Sequence, residues 1–540
     1  MIINPTIKNV TDRITKRSET TRSDYLEKMN GARKEGPRRA HLTCGNQAHA
    51  YAPVPEDQKR LIDEAGGNIG IINAYNDMLS AHQPFEKYPE IIKKAARLVG
   101  GTAQVAAGVP AMCDGITQGQ TGMELSLFSR DAIAMSAAIG LSHNVFDTTV
   151  YLGVCDKIVP GMIISAATFG HLPAVFLPAG PMTTGQSNDE KAKIRQDFAE
   201  GKANRSDLMA SEMSSYHGPG TCTFYGTANT NQMLMEFMGL HLPGSSFVNP
   251  NTPLRDALTD FGAKHALSIS DLNSNYIPVS KILDEKAYVN GIVGLMATGG
   301  STNLLIHLIA MARASGIIID WSDFAEISKV IPLLAKVYPN GLADVNHFHA
   351  AGGLGLVITE LLGADLLHSD TQTIMGTGLE AYTKEPKIIN GELGWHSGVS
   401  SSLNSKIIST TAEPFQETGG LADLNGNLGS AVMKVSAVEK SRRKITAPVR
   451  VFNDQQSVID AFRAGEFTHD VIIAVRYQGP RANGMPELHN LTPSMSVLQS
   501  RGLKVALITD GRMSGASGKV PAAIHMSPEA LDEGPIAYLQ

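Results

Sequence analysis

Apolar and polar positions follow two rhythms along most of this chain. Short, nearly unbroken apolar runs have the length of buried strands: NIGIINAY from Asn68, TTVYLGV from Thr148 and PAVFLPAG from Pro173. Longer segments with helical spacing lie between and after them. KYPEIIKKAARLVG reads as an amphipathic helix. In GMELSLFSRDAIAMSAAIGLSHN, residues Leu125, Phe128, Ala132, Met135 and Ile139 recur at intervals of 3, 4, 3 and 4, one continuous apolar stripe. MIISAATFG and TNLLIHLIAMARASG add two further helices. Strands alternating with helices at this spacing predict an α/β fold with a mostly parallel sheet.

The two ends depart from this pattern. Residues 1–67 read as a polar arm with helical patches, ending in the loop HLTCGNQAHAYAP and packed on a large α/β domain over 68–410. From about Leu403 helical periodicity thins. Short strands take over in AVMKVSAV, APVRVF, DVIIAVRY and KVALIT, punctuated by glycine and asparagine as in LADLNGNLGS. A smaller β-rich domain, a swivelling β/β/α or barrel-like unit, is expected over 411–540.

Composition narrows the class. Charged residues are 18% of the 540, below the roughly 25% of an average globular chain. A large interior, a subunit interface, or both would account for that. A net charge of −6 argues against nucleic-acid binding. Four cysteines are too few for a disulfide-stapled secreted fold but enough for one metal site. The start, MIINPTIKNVTDRITKRSETTRSDY, has no continuous apolar stretch, so no secretory signal is expected. The longest run free of Asp, Glu, Lys and Arg, Ile158 to Asn188, is broken by four prolines. It reads as a buried helix and a buried strand, not a membrane span. The expectation is a cytoplasmic protein whose thiols stay reduced and free to bind metal.

Six segments carry candidate chemistry. Cys155-Asp156-Lys157-Ile158-Val159-Pro160-Gly161 follows the strand VYLGV directly, where open α/β sheets place ligands. Its thiolate and carboxylate could serve a soft and a hard metal; the plain alternative is a small buried Cys beside a surface ion pair. Cys222 sits in a loop of glycine and hydroxyl residues, PGTCTFYGTANTN, either near backbone N–H donors that suit a metal–sulfur centre or inert in the core. Asp114, after Cys113 in a glycine-bounded turn, is a candidate Mg²⁺ ligand or simply a turn former. Cys44, in HLTCGN, could supply a third thiolate; the cysteines are not clustered, so the fold would have to assemble such a centre. TDGRMSGASGK is not a phosphate loop, because Met513 and Val520 stand where Gly and Ser or Thr are required. It leaves Ser514 on a sharp glycine turn after a strand, a place for an exposed nucleophile or base. Glu487, in QGPRANGMPEL, reads first as a solvated loop acid and second as a metal ligand.

Taken together the segments resemble the dihydroxy-acid dehydratase and 6-phosphogluconate dehydratase family. CDKIVPG matches its C-D-K-x-x-P-G signature, and ALITDGRMSGAS its T-D-G-R-x-S-G signature. The likeness runs from about Asn68 to the end. GVPAMCDGITQGQTGMELSLFSRD, PGTCTFYGTANTNQM, AYNDMLSAHQPFEKYPEII and QGPRANGMPELH are closer to the phosphogluconate branch. The resemblance implies an iron–sulfur hydro-lyase of phosphorylated sugar acids, acting in the Entner–Doudoroff pathway as a homodimer. It makes Cys155 and Cys222 cluster ligands, with Cys44 as the third and Cys113 as its substitute. The implied cluster would be 4Fe–4S, with 2Fe–2S as the alternative. Asp114, Asp156 and Glu487 would hold Mg²⁺, Lys157 matches a lysine carbamylated in some members, and Ser514 matches the proton acceptor. Relatives of this branch continue beyond GPIAYLQ, so the second domain is expected to be cut short.

Two rivals stand beside that reading. An iron–sulfur redox or sensor protein would need full thiolate ligation and no hard-metal carboxylates. A dehydratase of non-phosphorylated sugar acids or of branched-chain 2,3-dihydroxy acids would share the site and differ in substrate.

Overall fold

The computed structural model describes residues 3–36, 38–62, 66–513 and 519–540. Four short strands, β1 (Asn68–Asn73), β2 (Thr102–Gly108), β3 (Thr148–Leu152) and β4 (Ala174–Phe176), pair in parallel in the order β2-β1-β3-β4. β3 and β4 are buried throughout, as strands covered on both faces must be. The chain runs outward from β1 to β2, then crosses back over β1 to β3. The crevice beyond the carboxyl ends at this reversal is where such sheets bind ligands. Helices Tyr88–Leu98, Ser126–Leu141 and Ile158–Thr168 make the connections. The last begins inside the CDKIVPG motif, so that Lys157 is its N-cap.

The apolar stripe of helix Ser126–Leu141 faces outward. Leu125, Phe128, Met135 and Ile139 are 57–67% exposed, while Ile133, Ala134, Ala137 and Gly140 face the core. An amphipathic stripe ordinarily turns inward; here close approach decides. A Cβ on Gly140 would meet Ala106 O at 2.6 Å, and one on Gly161 would meet Arg130 O at 2.6 Å. The backbones touch through small residues, and the bulky ones are left outside.

Buried helices, among them Thr227–Phe237, Glu285–Thr298 and Asn303–Ala314, extend the core beyond the sheet. Two hairpins follow, β5 (Gln372–Thr373) with β6 (Gly376–Thr377) and β7 (Lys384–Ile389) with β8 (Glu392–Ser397). The C-terminal sheet comprises β9 (Leu421–Gly426), β10 (Gly429–Lys434), β11 (Val449–Phe452), β12 (Val471–Val475), β13 (Val505–Thr509) and β14 (Ala522–Ser527). Its order is β11-β12-β13-β14-β10-β9, with β11 to β14 parallel and β10 antiparallel to both neighbours. LADLNGNLGS, which reads as punctuation, forms β9 and the turn into β10. One cluster of buried apolar residues extends from Ile7 to Ile524 and includes residues of both sheets.

The polar N-terminal arm holds one long helix, Pro5–Lys34, followed by the shorter helices Cys44–Tyr51 and Gln58–Ile62. The long helix buries Ile7, Val10 and Ile14, and Arg13 and Arg17 both pair with the fully buried Asp323.

Candidate active site

The turn after β3 is the centre of the site. Cys155 has φ +75°, a left-handed conformation uncommon outside glycine. Asn231 on helix Thr227–Phe237 holds the turn, its Nδ2 donating to Cys155 O and Asp156 O at 2.9 Å each. Asp156 and Lys157 are thereby directed toward Asp114, which opens a short helix after β2.

Three carboxylates and two cations meet there. Lys157, fully buried, pairs with Asp114 and, at 2.7 Å, with Asp156. Arg512, 1% exposed, donates to Asp114 at 3.1 Å, to Asp156 at 3.4 Å and to Glu487. Ser126 Oγ donates to Asp114 at 2.6 Å and accepts from Arg512 Nη2 at 3.0 Å. Asn303 Nδ2 donates to Glu487 Oε2 at 3.1 Å, and His307 Nε2 lies 3.2 Å from Asp156 Oδ1. Burial opposes charge on Asp156, but Lys157, His307 and Arg512 outweigh it and hold the carboxyl well below its usual range. Burial dominates at Glu487 and raises it; Arg512 opposes the rise, and Asp114 and Asp156 reinforce it. Burial brings His307 down to about 4, so the ring is neutral.

An oxygen of each of Asp114, Asp156 and Glu487 lies within 4.8 Å of the other two. Glu487 Oε1 is buried without a hydrogen-bond partner. Hard oxygen donors gathered this way, one of them unsatisfied, fit Mg²⁺. Glu487 is 4% exposed and bridged to Arg512, not a solvated loop acid.

The thiols form a second group. Burial raises Cys113, Cys155 and Cys222, the last to about 12; Cys155 also registers the charge of Cys113 and Cys222, and Cys222 that of Cys113. The backbone N–H groups of Gly115 and Ile116 lie close enough to the Cys113 sulfur to favour its thiolate, and the Ile116 N–H donates to the Cys113 carbonyl at 3.0 Å. Thiols within reach of one another's charge, with backbone N–H groups nearby, are the chemistry that a soft iron centre takes. Cys44 is exposed and starts the helix Cys44–Tyr51, where the sequence suggested a loop. Ser514 lies outside the described residues.

Arg512, Asn303, His307 and Ser126 were not singled out from the sequence. Arg512 stands within the T-D-G-R signature, and Asn303 and His307 are polar residues four apart on a helix otherwise apolar up to Arg313. Polar groups at i and i+4 on a buried helix face one side together, and that signal could have found them.

The family model for the N-terminal part of dihydroxy-acid/6-phosphogluconate dehydratases matches residues 67–382, and the C-terminal one matches 406–540. The phosphogluconate dehydratase of Rhizobium meliloti is 60% identical over 536 residues, covering 99% of this chain and 88% of that protein. That of Escherichia coli K12 is 57% identical, covering 100% and 89%. The dihydroxy-acid dehydratase of Ignicoccus hospitalis is 36% identical, covering 87% and 83%.

Proposed function

Because the chain belongs to the dihydroxy-acid/6-phosphogluconate dehydratase family, we propose that it is a hydro-lyase converting 6-phospho-D-gluconate to 2-dehydro-3-deoxy-6-phospho-D-gluconate, the dehydration step of the Entner–Doudoroff pathway. The observation that carries the substrate is the 57–60% identity, along nearly the whole chain, to proteins named phosphogluconate dehydratase, against 36% to a dihydroxy-acid dehydratase.

The reaction removes the C2 proton and the C3 hydroxyl, and the resulting enol tautomerises to the 2-keto acid. An iron–sulfur cluster and Mg²⁺, when bound, supply Lewis acidity toward the leaving hydroxyl and the carboxylate end of the substrate. Cys113, Cys155 and Cys222 would hold the cluster, which puts Cys113 in the place first expected for Cys44. Asp114, Asp156 and Glu487 would hold Mg²⁺, with Lys157 joining them as an oxygen donor if carbamylated. Arg512 orients all three carboxylates from one side, and Asn303 and His307 fix Glu487 and Asp156 from another. Ser514 Oγ takes the C2 proton, a role that rests on the family signature. Hard-metal carboxylates beside the thiols favour the enzyme over a redox or sensor protein.

We further propose a cytoplasmic homodimer. Among the described residues no helix is long and apolar enough to cross a membrane, and the outward stripe of helix Ser126–Leu141 offers a surface for a second copy.

The test is kcat/KM for 6-phosphogluconate, gluconate and 2,3-dihydroxyisovalerate on anaerobically purified protein. The expected order puts 6-phosphogluconate first. Dihydroxyisovalerate as the best substrate would move the chain to the other branch.

A further inference from the structure

The three site carboxylates use nearly all of their oxygens. Asp114 accepts from Ser126 through one oxygen and from Lys157 and Arg512 through the other. Asp156 accepts from His307 through one and from Lys157 and Arg512 through the other. Glu487 Oε2 accepts from Arg512 and Asn303. Among the side chains bonded to these carboxylates and the carboxylates themselves, two atoms are buried with no hydrogen-bond partner: Glu487 Oε1 and Asn303 Oδ1. They belong to neighbours, since Asn303 Nδ2 donates to Glu487 Oε2 at 3.1 Å. The amide cannot be reversed, because only its nitrogen can donate to a carboxylate. Glu487 Oε1 has Mg²⁺ to take it up. Asn303 Oδ1 is a buried acceptor that still needs a donor, and such an atom calls for an explanation.

Asn303 is also firmly held. It is 1% exposed and opens helix Asn303–Ala314. Its N–H donates to Ser301 Oγ at 3.3 Å, and that hydroxyl lies 2.8 Å from Thr227 Oγ1. The Ser301 N–H donates to Thr230 Oγ1 at 3.0 Å. Gly300 is pressed against the same helix, where a Cβ would meet Thr230 Cγ2 at 2.6 Å. Helix Thr227–Phe237 carries Asn231 as well, which fixes the turn of Cys155 and Asp156. One helix therefore braces both that turn and Asn303, the kind of support that keeps a binding group in place. Holding Glu487 needs only a donor. What an asparagine adds is a fixed acceptor beside it.

We infer that Asn303 Oδ1 is a substrate contact that accepts a hydrogen bond from the C2 hydroxyl. The inference rests on the reading of this protein as a dehydratase of 6-phosphogluconate. Its substrate offers two hydroxyls near the reacting carbons, and the chemistry separates them. In the elimination the C2–H electron pair forms the C2–C3 double bond, the C3–O bond breaks, and hydroxide leaves C3 with its pair. The oxygen leaving C3 gains negative charge, so its hydrogen becomes a poorer donor and an acceptor there is wasted. The C2 hydroxyl stays and becomes an enol O–H, more acidic than an alcohol and a better donor. Its hydrogen bond to Asn303 tightens as the reaction proceeds, and an interaction stronger in the transition state than in the ground state accelerates the step. That proton is lost only afterwards, when C3 takes one up and the keto acid forms.

The experiment compares wild type, Asn303→Ala and Asn303→Ser as cluster-containing enzyme, with iron and sulfide content measured alongside. The probes are 2-deoxy- and 3-deoxy-6-phosphogluconate, used as competitive inhibitors of 6-phosphogluconate turnover. Wild type should hold the 3-deoxy acid, which keeps the C2 hydroxyl, more tightly than the 2-deoxy acid. In Asn303→Ala that gap should shrink roughly 3- to 10-fold, the range for one neutral hydrogen bond. With iron and sulfide unchanged, kcat should fall while KM changes little. Asn303→Ser, whose shorter side chain lacks the carbonyl, should narrow the gap in the same direction. A variant of normal iron content that keeps the wild-type gap would leave Asn303 as a holder of Glu487 alone and overturn the contact. Equal weakening of both inhibitors also overturns it. So does a wild type that binds the two deoxy acids equally, whether or not the variants fold. A wild type that does not turn over 6-phosphogluconate overturns the substrate reading itself, and the contact falls with it.

Discussion

Cys155 holds its left-handed backbone against a cost of about 1–2 kcal/mol for a residue with a Cβ. Two hydrogen bonds from Asn231 to consecutive carbonyls offset that cost and fix where the thiol and the next two side chains point. Such strain persists only where surrounding contacts over-determine it. Cys113 and Cys222 lie in two other loops. Substituting any of Cys113, Cys155 or Cys222 by serine is expected to abolish cluster iron and sulfide, measured after anaerobic purification. Cys44→Ser should keep both, because Cys44 is exposed whereas the other three are wholly or partly buried. Loss of iron in Cys44→Ser with none in Cys113→Ser would restore Cys44 as the third ligand.

Elements differ in how plainly the sequence announces them. β1, β3, β4 and the strands of the C-terminal sheet from β10 to β13 follow from unbroken apolar runs, and the site motifs fall at their ends. β2 is hidden because TAQVAAG is alanine-rich and half exposed. The outward stripe of helix Ser126–Leu141 was legible as a pattern, but its direction was not, since glycine and alanine contacts, not hydrophobicity, set the orientation. The grouping of Asp114, Asp156 and Glu487 with Arg512 depends on contacts across more than 350 residues, beyond the reach of any local pattern. Elements also carry buried imidazoles that tune stability. Burial holds His82, His241 and His368 below the usual range, His82 and His368 at about 4. In the unfolded chain they titrate near 6.5, so between those values the unfolded state binds more protons. Stability is full above about 6.5 and declines as pH falls toward about 4. Thermal melts followed by far-UV circular dichroism from pH 7.5 to 5 should show a falling Tm; a flat Tm would count against it.

For the whole molecule, Leu125, Phe128, Met135 and Ile139 are left to water along one stripe, and the helix that carries the last three begins at Ser126, which binds both Asp114 and Arg512. Spacing of 3 and 4 residues is that of a helix–helix seam, and a two-fold pairing would bury the same patch on both copies. Phe128→Glu combined with Met135→Glu should halve the mass seen by light scattering after size exclusion, with the circular dichroism spectrum unchanged. A wild-type monomer, or a double variant that keeps the dimer mass, would rule the seam out. The division of the site between two stretches of chain also has a consequence in time. Cys113, Cys155 and Cys222 are all made before residue 223, whereas Glu487 and Arg512 come more than 260 residues later. At about 5–20 residues per second, the ribosome completes the sulfur group roughly 15–60 s before it delivers the arginine that holds the carboxylates together. During that interval the nascent chain carries its thiols without the half that will close over them, so any iron loading or oxidation in that window meets an unfinished enzyme.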